Sequence, residues 1–308
     1  MWISCLLATV AGSFLSLTAP NLDSVSEVDS AVAADRVAAE RGDATAQYNL
    51  GLRYDTGDGV PVDDTAALKW TRLAADGGHP SAQHNLGVIY ASGEHVPQDQ
   101  AEAAKWYRLA ADQGHRMAQF NLGIMNDKGE GVPQDHAEAL KLYRLAAGQE
   151  HPGAQFNLGV SYAKGDGVPQ DGAEAMKWYE LAAAQGLAPA QIALGAVYYA
   201  GKDVAQNHTE AARWMRLAAD QGNPSAQYNL GVLYAKGEGV PTSDAEAYFW
   251  ISLAAASAHS TAAKVGDKLK ARLPPALLAE TQTRIATWRA NPSVLSGNAV
   301  SGRVSAEQ

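Results

Sequence analysis

The sequence predicts an all-α solenoid of six 36-residue helix pairs with capping helices, and three observations predict it. Asn-Leu-Gly begins at Asn49, Asn85, Asn121, Asn157 and Asn229, with Ala193-Leu194-Gly195 in the same frame. Tryptophan keeps that period at Trp70, Trp106, Trp178, Trp214 and Trp250, with Leu142 in the remaining slot. Leu-Ala-Ala does so too, at Leu73, Leu109, Leu145, Leu181, Leu217 and Leu253. Every step is 36 residues without insertion, and a period of this length marks stacked supersecondary units.

Taken in chain order, residues 1–27 read as a signal-like or disordered leader. The first 20 residues carry no charge, and Cys5 to Leu17 is an apolar run, CLLATVAGSFLSL. Its length suits a signal peptide and is short for a membrane span. No Lys or Arg precedes it, and Pro20 would follow a cut after Ala19. The expectation is export to a periplasmic or secreted location, or a cytoplasmic one if the leader is not a signal peptide. Residues 28–42 resemble a lone second helix of the repeat, placed to cap the first unit.

The repeats occupy 43–258. In the first, helix A is expected from Ala44 to Thr56 and helix B from about residue 64 to Gly77-Gly78. Gly57 and Gly59, repeated at Gly129/Gly131, Gly165/Gly167 and Gly237/Gly239, offer the positive φ that ends a helix. Val-Pro then blocks continuation. Asp63, Asp99, Asp135, Asp171, Asn207 and Ser243 are N-cap residues, and glutamate follows three positions later from Glu102 to Glu246, which is capping-box spacing. Helix A carries an interior glycine at Gly51, Gly87, Gly123, Gly159, Gly195 and Gly231. Each costs about 1 kcal/mol against alanine. The expected gain is close approach of helix B, with a ring such as Trp70 or Trp106 crossing the gap. The fifth loop departs most, with Lys202-Asp203 and Ala205, and is expected to be looser. Residues 259–290 read as C-terminal capping helices, Ser260–Arg272 and Ala276–Arg289, with Leu278, Ile285 and Trp288 facing the core. Residues 291–308 lack periodicity and are expected to be disordered.

The formal net charge of −9 argues against nucleic acid as a partner, because phosphate binding needs a basic surface. The single cysteine, Cys5, permits no disulfide framework and no cysteine-based zinc site. Outside the leader no stretch could span a bilayer, so the mature chain is expected to have no integral membrane span. His79, His115, His151 and His259 share one repeat column in the turn after helix B. Ligands must lie about 2 Å from zinc, whereas packed helices sit about 10 Å apart, so these histidines cannot share an ion. His84 reads as a surface contact. The carboxylates are periodic and belong to caps, and no nucleophile or phosphate motif stands out. No catalytic residue, metal or cofactor is expected. Lys69, Lys105, Lys141, Lys177 and Arg213 form a column that could meet nucleic acid or anionic lipid, but reads better as a solvated face paired with glutamate at i−3.

The pattern AQxNLGxxYxxGxGVPxDxxEAxKWYxLAAxQG resembles the Sel1-like repeat, a relative of the tetratricopeptide repeat. Ala226 to Trp250, Ala82 to Gly114 and Ala154 to Gly186 follow it closely. The resemblance implies a right-handed superhelix whose inner surface is lined mainly by helix A. It also implies adaptor or scaffold work, often in bacterial signalling or at the cell envelope. One branch of that family ties each helix pair with a disulfide, and this chain lacks those cysteines.

Two helix A columns flank the face that meets helix B and are expected to look into the concavity. One is Tyr48, His84, Phe120, Phe156, Ile192 and Tyr228; the other is Asp55, Ala91, Asp127, Ala163, Tyr199 and Ala235. Rings beside polar groups suit capture of a protein partner. The candidate binding residues are therefore Tyr48, His84, Phe120, Phe156, Tyr228, Asp55, Asp127 and Tyr199. Ordinary packing between repeats is the competing reading of the aromatic column. The functional expectation is a non-catalytic protein-binding scaffold, with an envelope enzyme or cell-wall ligand binder as the alternative.

Overall fold

In the computed structural model, residues 22–257 and 259–290 are described. The leader up to residue 21 and the tail 291–308 lie outside them. Among the described residues all regular structure is α-helical. The chain forms two compact units, one ending at His79 and the other beginning at Pro80.

The first unit holds α1 (Leu22–Glu40), α2 (Ala44–Thr56) and α3 (Asp64–Asp76), with α2 packed on both others. Helix α1 starts at Leu22, earlier than the expected Val28, because no glycine or proline interrupts the chain before Gly42. The second unit continues with α4 (Pro80–Ser92), α5 (Gln100–Asp112), α6 (Arg116–Lys128), α7 (His136–Gly148), α8 (Pro152–Lys164) and α9 (Gly172–Ala184). It is completed by α10 (Ala188–Ala200), α11 (His208–Asp220), α12 (Pro224–Lys236), α13 (Asp244–Ala256), α14 (Ala262–Lys270) and α15 (Pro275–Thr287). From α4 to α14 successive helices pack on one another, and α15 packs on α13. This is the expected stack of helix pairs.

Each helix B is N-capped by the expected residue: the Asp99 carboxylate accepts from the Glu102 N–H at 2.9 Å, and Asp63, Asp135, Asp171, Asn207 and Ser243 cap likewise. The reciprocal half of the capping box does not form. The N-cap N–H, which the glutamate would take, instead donates nine residues back to helix A, as from Asp99 to the Tyr90 carbonyl at 2.9 Å. The same bond runs from Asp171 to Tyr162 and from Ser243 to Tyr234, closing the A-to-B loop. The Glu102 side chain turns outward to Lys105 and the Trp106 indole.

The interior glycines do admit helix B, but the residue opposite them is not the tryptophan. A Cβ on Gly87 would meet the Tyr107 ring, on Gly123 the Tyr143 ring, and on Gly159 the Tyr179 ring. These tyrosines lie one residue, hence about 100° of helix, past the tryptophan column. That rotation sends the tryptophan position toward the preceding repeat's helix B instead: Leu142 joins the cluster of Tyr107 and Ala111, Trp178 packs against that of Tyr143 and Ala147, and Trp250 joins that of Met215 and Ala219.

The second loop glycine meets two demands. Gly131, Gly167 and Gly239 have φ of 71°, 74° and 73°, and a Cβ on each would strike the backbone carbonyl of the first residue of the preceding helix B: Gln100, His136 and His208. In the fifth loop Asp203 occupies this position, yet it keeps φ at 68° and the loop is not looser in geometry. The residue facing it is Gly172, which begins the one helix B of the second unit that starts with glycine, and the Asp203 side chain fills the space a Cβ would need.

A glutamine ladder ties the end of each helix B from α5 to α11 to its own helix A, and that helix A to the preceding repeat. Gln149 donates its amide to Gln119 Oε1 at 2.8 Å, as Gln113 does to Gln83, Gln185 to Gln155 and Gln221 to Gln191. Gln119 passes its own amide to the Ala111 carbonyl at 3.2 Å. The ladder stops at Gln227, whose buried Oε1 finds no donor because Ser257 stands where a glutamine would continue it. Gln119→Leu removes both of its hydrogen bonds, each worth about 1 kcal/mol, while the Gln149 amide keeps the Gly114 carbonyl and the Ala111 carbonyl keeps the Gly114 N–H. It is expected to cost about 2 kcal/mol in urea unfolding, and unchanged stability would show that water replaces the rung.

Candidate protein-binding face

The aromatic column and the histidine column turn out to be one structure. In the first unit Tyr48 stacks on His79 with ring centroids 4.5 Å apart. In the second, His84 meets His115 at 4.7 Å, Phe120 meets His151 at 4.3 Å and Tyr228 meets His259 at 4.5 Å. Phe156 has Leu187 in place of a turn histidine and leans on Tyr179 at 5.7 Å. His115 and His151 also N-cap the next helix A, their Nδ1 accepting from the Ala118 and Ala154 N–H groups. Each of these two histidines so caps one helix and seats a ring of another.

His84 is 7% exposed, so it is not the surface contact expected of it. It is enclosed by Tyr107 and His115, with Asn85 and Asn121 each 3.2 Å from a ring nitrogen. Burial first, and the neighbouring His115 second, hold its pKa down at about 4, against the Asn85 hydrogen bond. His151 is held at about 4 by burial and then by Arg116. Phe120, Phe156, Tyr48 and Tyr228 are only partly buried, and the ring faces just described take up much of their surface.

The second column keeps more of its polar groups at the surface. Asp55, in the first unit, is exposed. Asp127 pairs with His136 Nδ1 at 2.8 Å. Tyr199 stacks on His208 at 5.0 Å, donates its hydroxyl to Glu238 Oε2 at 2.9 Å, and accepts from Lys236 Nζ at 3.1 Å. Sequence reasoning missed these histidine partners. The signal was present: in the second unit the column holds Asp or Tyr where the first residue of the same repeat's helix B is histidine, and alanine where it is Gln100, Gly172 or Asp244.

Tyr199 borders a cleft of ≈ 230 Å³ lined also by Gly195 and Ala196 of α10, Ala211 and Met215 of α11, and Asn229, Val232 and Leu233 of α12. Two truncations open it. Ala196 stands in a column otherwise held by Leu52, Val88, Ile124, Val160 and Val232, and Met215 replaces the tyrosine of the three preceding repeats. Two of those tyrosines bond the next repeat's asparagine, Tyr107 to Asn121 and Tyr143 to Asn157. Burial drives the Tyr107 phenol up to about 12, against the Asn121 hydrogen bond. With Met215 in that place, the Asn229 amide lies 4.0 Å from a thioether sulfur and borders the cleft. The lining is thus apolar with one amide, and the rim is a phenol bridging a cation and a carboxylate. None of the lining beyond Tyr199 was among the binding residues expected from sequence, although the two departures from the repeat mark it.

Among the described residues no group of three or more His, Cys, Asp or Glu could hold a metal ion. No described helix is long and apolar enough to cross a membrane. The basic helix B column pairs with its glutamates, Lys105 to Glu102 and Lys177 to Glu174 at 2.7 Å and Arg213 to Glu210 at 2.9 Å.

The fold matches known proteins. A protective antigen of uropathogenic Escherichia coli that displays an SLR fold superposes with a TM-score of 0.74 at 36% identity, over 83% of this chain and 56% of that one. This chain therefore spans little more than half of that protein's length. A Sel1 repeat protein from Oxalobacter formigenes matches with a TM-score of 0.67 at 39% identity, over 75% of this chain and 67% of that one. No curated protein matches. The Sel1 repeat matches six consecutive segments, 44–79, 80–115, 116–151, 152–187, 188–223 and 224–259. Its helix-pair fold is typical of protein-interaction scaffolds. With six matches over most of its length, the chain belongs to the Sel1 repeat family.

Proposed function

We propose that the chain is a non-catalytic scaffold that holds a partner protein by inserting one apolar side chain of the partner into the cleft beside Tyr199. The carrying observation is the cleft's size together with its lining. Sites for whole small molecules occupy about 300–1,000 Å³. A cleft of ≈ 230 Å³ is nearer to a single large side chain, and its polar groups sit at the rim, where they can meet a peptide backbone. The same size weighs against an enzyme or cell-wall ligand binder, which needs converging ionisable groups in a deeper site. The apolar run Cys5–Leu17 and the likeness to a protective antigen support an exported, envelope-exposed scaffold, whose regulatory effect lies in the proteins it gathers. Sequencing the N-terminus of the protein recovered from its native host tests export, which an intact leader on cytosolic protein would refute.

Ala196→Phe fills the cleft without removing a contact. Affinity capture from the native source is expected to retain a partner on the wild-type chain and lose it on this variant, with thermal midpoints within a few degrees. The proposal fails if the variant keeps the same partner set. Alanine at Phe120 or Phe156 is a poorer test, since both rings pack within their repeats.

A further inference from the structure

One leucine of each helix B from α5 to α11 is left at the surface of the second unit: Leu109, Leu145, Leu181 and Leu217 are 47%, 47%, 49% and 39% exposed. They share a stripe with the glutamate and basic residue seven and four positions earlier, as Glu102, Lys105 and Leu109 do at helical spacing. The last repeat shows what this stripe accepts. There Leu253 is only 7% exposed, because α15 folds back over α13. Ile285 and Trp288 pack against the cluster that holds Phe249 and Leu253. Arg284 of α15 pairs with Glu246 at 2.7 Å and lies over the Phe249 ring at 4.5 Å. Glu246, Phe249 and Leu253 occupy the same three columns as Glu102, Lys105 and Leu109. The sequence is adjusted to the cover, with Phe249 where the other repeats place Lys or Arg.

We infer that the leucine stripe from Leu109 to Leu217 is a docking surface for a basic amphipathic helix of a partner protein, bound as α15 is bound to the last repeat. Continuity with the α15 interface gives the mode: an apolar pair like Ile285 and Trp288 covers the leucine, and a neighbouring arginine reaches the glutamate. Charge gives the sign of the partner. The chain carries a net −9, and the glutamates of the stripe each hold an exposed Lys or Arg of their own helix. Glu138 also takes Arg108 from the preceding repeat, which shows the stripe accepting a guanidinium from a second helix. Exposed pairs of that kind are worth little, so an incoming arginine exchanges for them at small cost. The stripe lies on helix B and shares no residue with the cleft at Tyr199, so either assignment can fail alone.

The probe is a fluorescein-labelled peptide of residues 275–290 (PALLAETQTRIATWRA), titrated with the full-length chain and read by anisotropy. Saturable binding is expected, weakened at least tenfold by Leu145→Asp with Leu181→Asp and at least fivefold by Arg284→Glu with Arg289→Glu in the peptide. Ala196→Phe is expected to leave it unchanged. Circular dichroism checks that the doubly substituted chain stays folded, as surface positions permit. The inference is overturned if the peptide does not bind, or binds the leucine variant equally and so merely replaces α15 on the last repeat. It is also overturned if the leucine substitutions abolish self-association of the chain in sedimentation, or its binding to phosphatidylglycerol vesicles. Either of those results would give the stripe a different occupant.

Discussion

Gly239→Ala is expected to destabilise the second unit by roughly 3–5 kcal/mol, the sum of a left-handed backbone cost and a backbone overlap. Gly239 holds φ at 73°, which an L side chain adopts at a penalty, and its Cβ would collide with the His208 carbonyl. That carbonyl belongs to the first turn of α11 and cannot swing aside as a flexible side chain would. Escape requires the loop between α12 and α13 to lift off α11, opening the contact between the last two repeats. Repeat stability rests largely on such neighbour contacts, so the loss should appear as an early phase in urea unfolding. Gly148→Ala is the counterpart. Gly148 ends α7 with nothing within 4 Å of the place a Cβ would take, and alanine there is expected to add roughly 0.5–1 kcal/mol. Equal effects of the two substitutions would show that the loop contact is not what demands glycine.

Acid is expected to act through two histidines. His84 and His151 are neutral in the folded chain down to about pH 4, because burial opposes their charge. In the unfolded chain they protonate near 6.5. Between those values the unfolded state binds more protons, so stability falls as pH drops from about 6.5 to 4 and levels off below that. For His84 the loss amounts to roughly 2–3 kcal/mol, with a smaller share from His151. Urea unfolding at pH 7, 6, 5 and 4 measures it. His84→Phe places in the column the ring that Phe120 and Phe156 already use, and it should remove His84's share of the slope while keeping stability at pH 7. A slope unchanged by His84→Phe would assign the acid response to other groups.

Much of the fold could be read from the repeat itself. Glycine stops, Asp N-caps and the Asn-Leu-Gly frame are local signals, and local physics places the helix ends. What escaped reading depends on direction rather than spacing. Trp178 and Tyr179 are adjacent in sequence, and only their difference of about 100° around the helix decides which one meets Gly159 and which turns to the preceding repeat's helix B. The capping box has the right spacing, yet the Asp99 N–H is claimed by Tyr90, a partner that exists only after the loop closes. The glutamine ladder needs two columns 30 residues apart to be read together. The aromatic column was legible as special, but its stacking on the turn histidines shows packing to be a large part of its work. The cleft was hardest to see, because it is made by what is missing at Ala196 and Met215.

The pairing of Gly172 with Asp203 bears on how such a chain can change its length. The two residues lie in different matched segments, 152–187 and 188–223. Deleting the first of these would set Asp203 against His136, and duplicating the second would set a new Asp203 against His208. Both joints put a side chain and a bulky first turn in one space. A duplication or loss cut at the repeat boundary is thus expected to strain this junction, while a breakpoint inside helix B keeps Gly172 and Asp203 together. The heritable module here straddles the boundary that sequence similarity draws.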